Sequence, residues 1–255
     1  MAWANVNSGL LGIAALLCAD MAFAQAPAPP SNSTSPQANS REELDAFGAI
    51  MEAGNPSRTV ETAQQFLNAY PNSEFFVYAA LAGAHSSCDL GKLSQCAGLA
   101  RQALQANPNS IDALLLSARL MVAPGIENPP KQRMEAKTFA ATALDLLKRK
   151  TIPTASEAGT WLRTRNSFEA AGKYVLGSVE LLDGNLDSAK VLLDQAVALD
   201  PRGEYLLRLA MLCAAKGDSG TQAMAARAIA AGPEWVASFA RELLRPEKRV
   251  TNDQP

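Results

Sequence analysis

Apolar residues recur about every 3.6 positions between Arg41 and Arg245, in segments that residues favouring turns separate from one another. No run alternates Val, Ile or Thr with polar residues as a half-buried strand would. The clearest segment contains Ala189, Leu193 and Ala196, which fall at i, i+4 and i+7 and so share one stripe of a helix. The chain is therefore predicted to be all-α.

The same segment contains the signals that begin and end a helical hairpin. Gly184 and Asn185 lie between Leu182 and Leu186, and both residue types tolerate the positive φ at which many helices end. Pro201 cannot continue a helix, because it lacks a backbone N–H. Two helices joined by a tight turn are predicted here.

This spacing recurs along the chain, which makes a chance match improbable. Further second helices are predicted from four sets of residues: Ala63, Phe66, Leu67 and Pro71; Ala100, Ala103, Leu104 and Pro108; Ala136, Ala140, Ala143 and Leu144; and Ala223 after Pro201. The repeated unit resembles the tetratricopeptide repeat (TPR), a 34-residue helix-turn-helix whose small residues let helices approach closely. The framework residues of the resemblance are Leu176, Gly177, Gly184, Ala189, Leu193, Ala196 and Pro201.

The resemblance implies a solenoid of antiparallel helix-turn-helix repeats, with two insertions. APGIENPPK, residues 123–131, is expected to be a stiff surface excursion because of its prolines. Residues 156–168, which include Trp161, are expected to form an extended helix leading into the fourth repeat. Trp235, Phe239 and Leu243 follow at i, i+4 and i+8 after Gly232-Pro233, and resemble the buried stripe of a C-terminal capping helix.

The first 40 residues differ in composition from the rest of the chain. An apolar run and the A-x-A sequence Ala22-Phe23-Ala24 predict that residues 1–24 are an export signal cleaved near Ala24. Residues 25–40, rich in Pro, Ser and Asn, are expected to form a disordered tether, and residues 246–255 a frayed tail. The helical repeat domain is predicted to span residues 41–245. The predicted location is the periplasm or the extracellular space; lipidation of Cys18 is the alternative.

Composition and charge exclude several classes of partner. Lys and Arg number 23 against 25 Asp and Glu, so the chain lacks the positive field that nucleic acid attracts. The N-terminal apolar run is shorter than the roughly 20 residues a spanning helix needs, so no integral membrane span is expected. Neither of the glycine-rich phosphate-binding motifs, G-x-x-x-x-G-K-[ST] and G-x-G-x-x-G, occurs in the sequence, so no cofactor is expected.

Catalysis has one weak candidate, His85, the single histidine of the chain. Ser86, Ser87, Cys88 and Asp89 follow it, but consecutive residues at a helix end point in different directions and cannot converge on one substrate atom. The chain is therefore predicted not to be an enzyme. Too few His and Cys residues exist for a zinc site, so no metal is expected.

The spacing of Cys88 and Cys96 places them on either side of one predicted hairpin turn. After export they would meet an oxidising compartment, so a disulfide is predicted, with two buried thiols as the alternative. Cys213, within a run of Leu and Ala, is expected to be a small core residue.

The TPR resemblance implies that a protein or peptide binds the concave face, which the first helix of each repeat lines. Carrying the family's register over gives eight candidates: Tyr78, His85, Asp112, Arg119, Tyr174, Ser178, Tyr205 and Arg208. The favoured hypothesis is an exported scaffold for a protein of the bacterial cell envelope. A transient assembly or chaperone-like factor is the alternative, and a periplasmic hydrolase using His85 is the remote one.

Overall fold

The structure is a computed structural model that describes residues 36–150 and 158–245. Within these two ranges the chain forms eleven α-helices and no strand, which confirms the all-α prediction. The helices are α1 Arg41–Met51, α2 Pro56–Ala69, α3 Phe76–Asp89, α4 Leu93–Ala106, α5 Ile111–Met121, α6 Pro130–Arg149, α7 Ala158–Leu182, α8 Leu186–Leu199, α9 Gly203–Lys216, α10 Gly220–Ala231 and α11 Glu234–Leu243.

The helices pair in chain order, and each pair packs on the next. Hairpins α1/α2, α3/α4, α5/α6, α7/α8 and α9/α10 are followed by α11, and every helix contacts its neighbours in sequence. First helices also contact one another directly, α5 with α7 and α7 with α9. The predicted helical solenoid is confirmed.

Glycine ends the first helix of three hairpins in the same way. Gly91, Gly184 and Gly217 follow α3, α7 and α9, each with φ between +67° and +83°. After α7, the N–H of Asn185 donates to the Glu180 carbonyl at 2.8 Å, and the equivalent bond closes α3 and α9. The left-handed residue reverses the chain while it satisfies the last carbonyls of the helix, as the sequence predicts for Gly184.

Small residues let the paired helices approach closely. Ala189, Leu193 and Ala196 of α8 are completely buried. A Cβ on Gly177 of α7 would lie 2.9 Å from Leu193 Cγ, too close for any larger residue without a shift. This contact explains why the framework contains glycine at position 177.

The extended helix expected before the fourth repeat is present from Ala158, where α7 begins and runs for 25 residues. The part of the prediction that falls on residues 156 and 157 lies outside the described residues. So do the predicted export signal, residues 25–35 of the tether and the tail at 246–255. None of the helices described is both long and apolar enough to cross a bilayer.

The expectation that residues 123–131 form a surface excursion is wrong for their first part. Ala123 and Pro124 are buried, and Gly125 lies against the ring of Phe239 in α11. A Cβ on Gly125 would come within 2.6 Å of Phe239 Cζ. The loop turns inward because the C-terminal helix reaches back to it, a contact between distant parts of the chain.

The capping helix has a different buried stripe from the predicted one. Val236, Ala237 and Ala240 face the core, whereas Phe239 is 40% exposed. Trp235 and Leu243, predicted with Phe239, lie at the edges of that contact and are partly buried. The helix sits close to α9 and α10, and so little room suits Ala and Val rather than large side chains.

Candidate partner-binding cavity

A cavity of about 600 Å³ lies where the first helices of four hairpins converge. Helix α3 contributes Asp89 and α5 contributes Leu116 and Leu120. Residues 160–174 of α7, the start of α9 and the loop before α11 contribute further lining, with Tyr174 and Trp235 as its aromatic residues. The cavity therefore combines an apolar lining with charged groups, as ligand sites usually do.

An ion pair between Arg119 of α5 and Glu204 of α9 spans the wall of the cavity. The two side chains are 15% and 14% exposed. Burial opposes the charge on the guanidinium, but the nearby Glu204 carboxylate outweighs it and raises the pKa of Arg119. The pair ties together helices from two hairpins that are not neighbours in sequence.

A second charged pair joins α7 to the start of α9. Arg202 Nε donates to Asp200 Oδ2 at 2.7 Å, and Arg202 Nη2 donates to Ser167 Oγ at 2.7 Å. Ser167 Oγ in turn donates to Asp200 Oδ2 at 2.9 Å. Each group in this triangle is bound to the other two, so its charges are already compensated.

His85 also lines the cavity, and its Nε2 is 3.0 Å from both carboxylate oxygens of Asp112. Burial would raise the pKa of Asp112, but the His85 ring, by charge and by hydrogen bonding, lowers it overall. Ser87 Oγ donates to the Gly83 carbonyl, and Cys88 is in a disulfide. A His–Asp pair is an arrangement that can orient a general base, but Ser87 and Cys88, two of the residues that follow His85, are both engaged in other bonds and so are not free to act as its nucleophile.

Two charged side chains of the cavity are not paired in this way. Asp89 is the last residue of α3, and within the described ranges no side chain hydrogen-bonds or ion-pairs with its carboxylate. It is open to solvent on one side, yet burial on the other raises its pKa. Arg163 of α7 is exposed, and within residues 36–150 and 158–245 its guanidinium donates only to Thr160 Oγ1, at 3.1 Å.

The structure brings together some of the eight residues selected from the sequence. His85, Arg119 and Tyr174 line the cavity, and Asp112 lies behind His85 as its partner. Tyr78 is partly buried against the core of the first two hairpins and does not line the cavity. That a partner binds these residues stays a prediction.

The expectation of an accessible surface is wrong for Ser178, Tyr205 and Arg208, which are completely or almost completely buried. The Tyr205 ring stacks on Tyr174 with centroids 4.6 Å apart, and Arg208 Nη2 donates to the Val122 carbonyl. Tyr174 is also only 1% exposed, although it lines the cavity. The register assumed an open groove, whereas here Tyr205 packs on Tyr174 of α7 and Arg208 reaches the backbone at the end of α5.

The sequence interpretation missed most of the charged groups of the cavity. Asp89 was considered only as a neighbour of His85, and Arg163, Arg202 and Glu204 were not selected. No local signal marks them, since Glu204 lies 85 positions from its partner Arg119. Only the close approach of distant helices makes them part of one site.

The predicted disulfide is confirmed: Cys88 Sγ of α3 is bonded to Cys96 Sγ of α4. Cys96 is fully buried and Cys88 lines the cavity, so the bond holds one edge of the wall in place. Cys213 is a free, buried thiol, as expected. No cluster of His, Cys, Asp and Glu suited to a metal ion occurs within residues 36–150 and 158–245.

The solved structures that resemble this chain include a TPR protein. TTC0263, a thermophilic TPR protein of Thermus thermophilus, is 17% identical with a TM-score of 0.52, over 79% of this chain and 98% of its own. MamA from Desulfovibrio magneticus RS-1, from residue 41 to its end, is 15% identical with a TM-score of 0.43, over 80% of this chain and 98% of its own. A double mutant of MamA RS-1 is 14% identical with a TM-score of 0.42, over 81% and 96%.

The similarity to TTC0263 shows that this chain has a divergent TPR-like fold. No protein-family model matches the chain, and no curated protein matches it.

Proposed function

We propose that this protein is a scaffold that binds a segment of a partner protein in the cavity between its first helices. The observation that carries the proposal is the cavity itself, of about 600 Å³, whose apolar and charged lining comes largely from the first helices of four hairpins. Helical solenoids use surfaces of this kind for extended partners. A cavity of this volume falls within the range of natural ligand sites.

The proposal is tested by placing a photo-crosslinking amino acid inside and outside the cavity. Leu120 and Thr164 line it, whereas Val191 of α8 is 57% exposed and takes no part in its lining. After irradiation in native extract, the first two positions should crosslink one protein through a defined segment, identified by mass spectrometry. The Val191 variant should not. Equal labelling at all three positions, or none within the cavity, would contradict the proposal.

The rate at which the partner leaves separates a stable scaffold from a transient assembly factor. A purified partner that dissociates over hours would support the scaffold, and one that leaves within seconds would support the assembly factor. No group in the cavity favours one over the other, so the scaffold is retained from the sequence interpretation.

Export to the cell envelope, with cleavage near Ala24, is part of the same proposal. The A-x-A sequence before Gln25 and the Cys88–Cys96 disulfide support it, because structural disulfides persist mainly in oxidising compartments. Mass spectrometry of the protein purified from its source should find a mature chain that begins at Gln25. An intact N-terminus in the cytoplasmic fraction would contradict export.

A further inference from the structure

The charged side chains of the cavity divide into pairs that are complete and groups that are open. Arg119 is bound to Glu204, and Arg202 to Asp200. The carboxylate of Asp89 and the guanidinium of Arg163 remain, and both line the cavity. These two groups have opposite charges and lie on different helices, α3 and α7.

The position of Asp89 is unfavourable for the fold. It is the last residue of α3, where the helix dipole presents its negative end and disfavours a carboxylate. Burial has the largest effect on the pKa of Asp89 and raises it, the charges of His85, Arg119 and Arg202 lower it, and the charge of Glu204 raises it. Asp89 is exposed, lines the cavity and has no hydrogen-bonding or ion-paired side chain within the described residues, so its carboxylate is available to a bound partner.

We propose that the bound segment carries a basic side chain, which Asp89 binds, and an acidic side chain, which Arg163 binds. This inference rests on the proposed function, since it specifies the chemistry of the segment that occupies the cavity. Asp89 offers two acceptor oxygens to a Lys or Arg, and Arg163 offers a planar fork to a carboxylate. Leu116, Leu120 and Trp235 supply the apolar wall along which the stems of such long side chains pack.

Selection of random dodecapeptides displayed on phage tests the inference on the full chain. Wild type, Asp89→Lys and Arg163→Glu are used in parallel. Asp145→Lys and Arg165→Glu are matched controls, because Asp145 and Arg165 are exposed and lie outside the cavity. Peptides enriched on wild type should contain a basic and an acidic residue at a recurring separation.

Asp89→Lys should remove the preference for a basic residue in the peptide, and Arg163→Glu the preference for an acidic one. A peptide selected on wild type should bind Asp89→Lys at least about tenfold more weakly, because a charge-assisted hydrogen bond is lost and repulsion is added. The same peptide with its basic residue changed to Glu should recover binding to Asp89→Lys. Arg163→Glu should lose the preference for the acidic residue, and both control variants should bind as wild type does. Far-UV circular dichroism checks that each variant folds. If Asp89→Lys does not fold, Asp89→Asn replaces it in the binding measurement.

Two results would overturn the inference, and they differ in what else they affect. If enriched peptides crosslink at Thr164 but show no charge preference, or bind Asp89→Lys within twofold of wild type, the charge assignment fails and the binding cavity stands. If no peptide is enriched and Thr164 labels no partner, both the inference and the proposed function fail.

Discussion

The first two hairpins and the remainder of the solenoid repeat one architecture but bury different side chains. In α1 to α4 the core is built on Phe47, whose ring is 4.5 Å from that of Phe75 and 5.8 Å from that of Phe66, measured between centroids. From α5 onward the largest fully buried side chains include Arg208 as well as the stacked pair Tyr174 and Tyr205.

The first two hairpins therefore have a largely apolar core, whereas the later hairpins bury polar groups next to the cavity. Burying a cation costs free energy unless it is paired, and Arg208 is not bonded to any carboxylate in the described chain. Its Nε, with Tyr205 Oη and Ser178 Oγ, has no hydrogen-bond partner there either. The polar interior adjoins the cavity through Tyr174. Binding sites often lie in the less stable part of a domain.

The largest loss of stability is expected from a substitution in the aromatic core of the first two hairpins. Phe66 is 2% exposed, so Phe66→Ala should lower the free energy of unfolding by about 3–5 kcal/mol, through lost burial and the void that remains. Urea unfolding followed by circular dichroism measures the change. Phe239→Ala is the control, because Phe239 is 40% exposed and should cost much less. Equal losses of unfolding free energy in the two variants would contradict the role assigned to burial in the aromatic core.

The ion pair of the cavity should give the next largest effect. Glu204→Gln leaves the Arg119 guanidinium without its counter-charge at 15% exposure, and we expect a loss of about 2–3 kcal/mol. Hydrogen exchange should show faster opening in α5 and α9 and little change in α1 and α2. Glu234→Gln, at an exposed carboxylate bonded to Arg241, should change little. Uniform acceleration of exchange along the chain would contradict a local role.

Matched glycine substitutions compare close helix packing in the two parts. Gly177→Ala would place a methyl group 2.9 Å from Leu193 Cγ, and should destabilise by about 1–2 kcal/mol through overpacking. Gly98→Ala in α4 meets no atom within 4 Å and should stabilise by about 0.5–1 kcal/mol, through higher helix propensity. Thermal unfolding of both variants measures the contrast, and the same sign for both would refute this explanation of Gly177.

The smallest effect concerns the bond between His85 and Asp112, which joins α3 to α5. The pKa of Asp112 is lowered in the folded state. Its contribution to folding stability is therefore present above the unfolded pKa of about 3.9 and is lost as the pH falls through the lower folded pKa. Asp112→Asn should cost about 1 kcal/mol at neutral pH. The difference from wild type should shrink as the pH falls below about 4. Unfolding measured against pH tests this, and a constant difference down to about pH 2 would contradict it.

Local features of the site were predictable where the signal lies within one hairpin. Cys88 and Cys96 are eight positions apart across one turn, and the pair is a disulfide in the structure. His85 lies on the inner side of its helix, and its register was enough to place it at the cavity. Residues 163 and 204 carried no such signal, because their roles depend on helices from other hairpins.

For the capping helix, the sequence predicted that a helix is present but not which of its residues are buried. Its existence followed from a helical period after Pro233, and α11 begins at Glu234. Its buried stripe did not follow from the period, because two sets of apolar residues could face the core. These are the large residues Trp235, Phe239 and Leu243 and the small residues Val236 and Ala240. Hydrophobicity alone favours the large residues, whereas the short distance to α9 and α10 selects the small ones.

By itself the sequence determined the helices, their turns, the small residues between paired helices and the disulfide. These depend on neighbours within about one repeat, where backbone propensity and periodicity act directly. The tertiary structure alone decided that the groove closes, burying Tyr205 and Arg208, and that Arg119 meets Glu204 across 85 positions. Small rotations between successive hairpins accumulate along a solenoid, and their sum decides which inner-face side chains stay open to a partner.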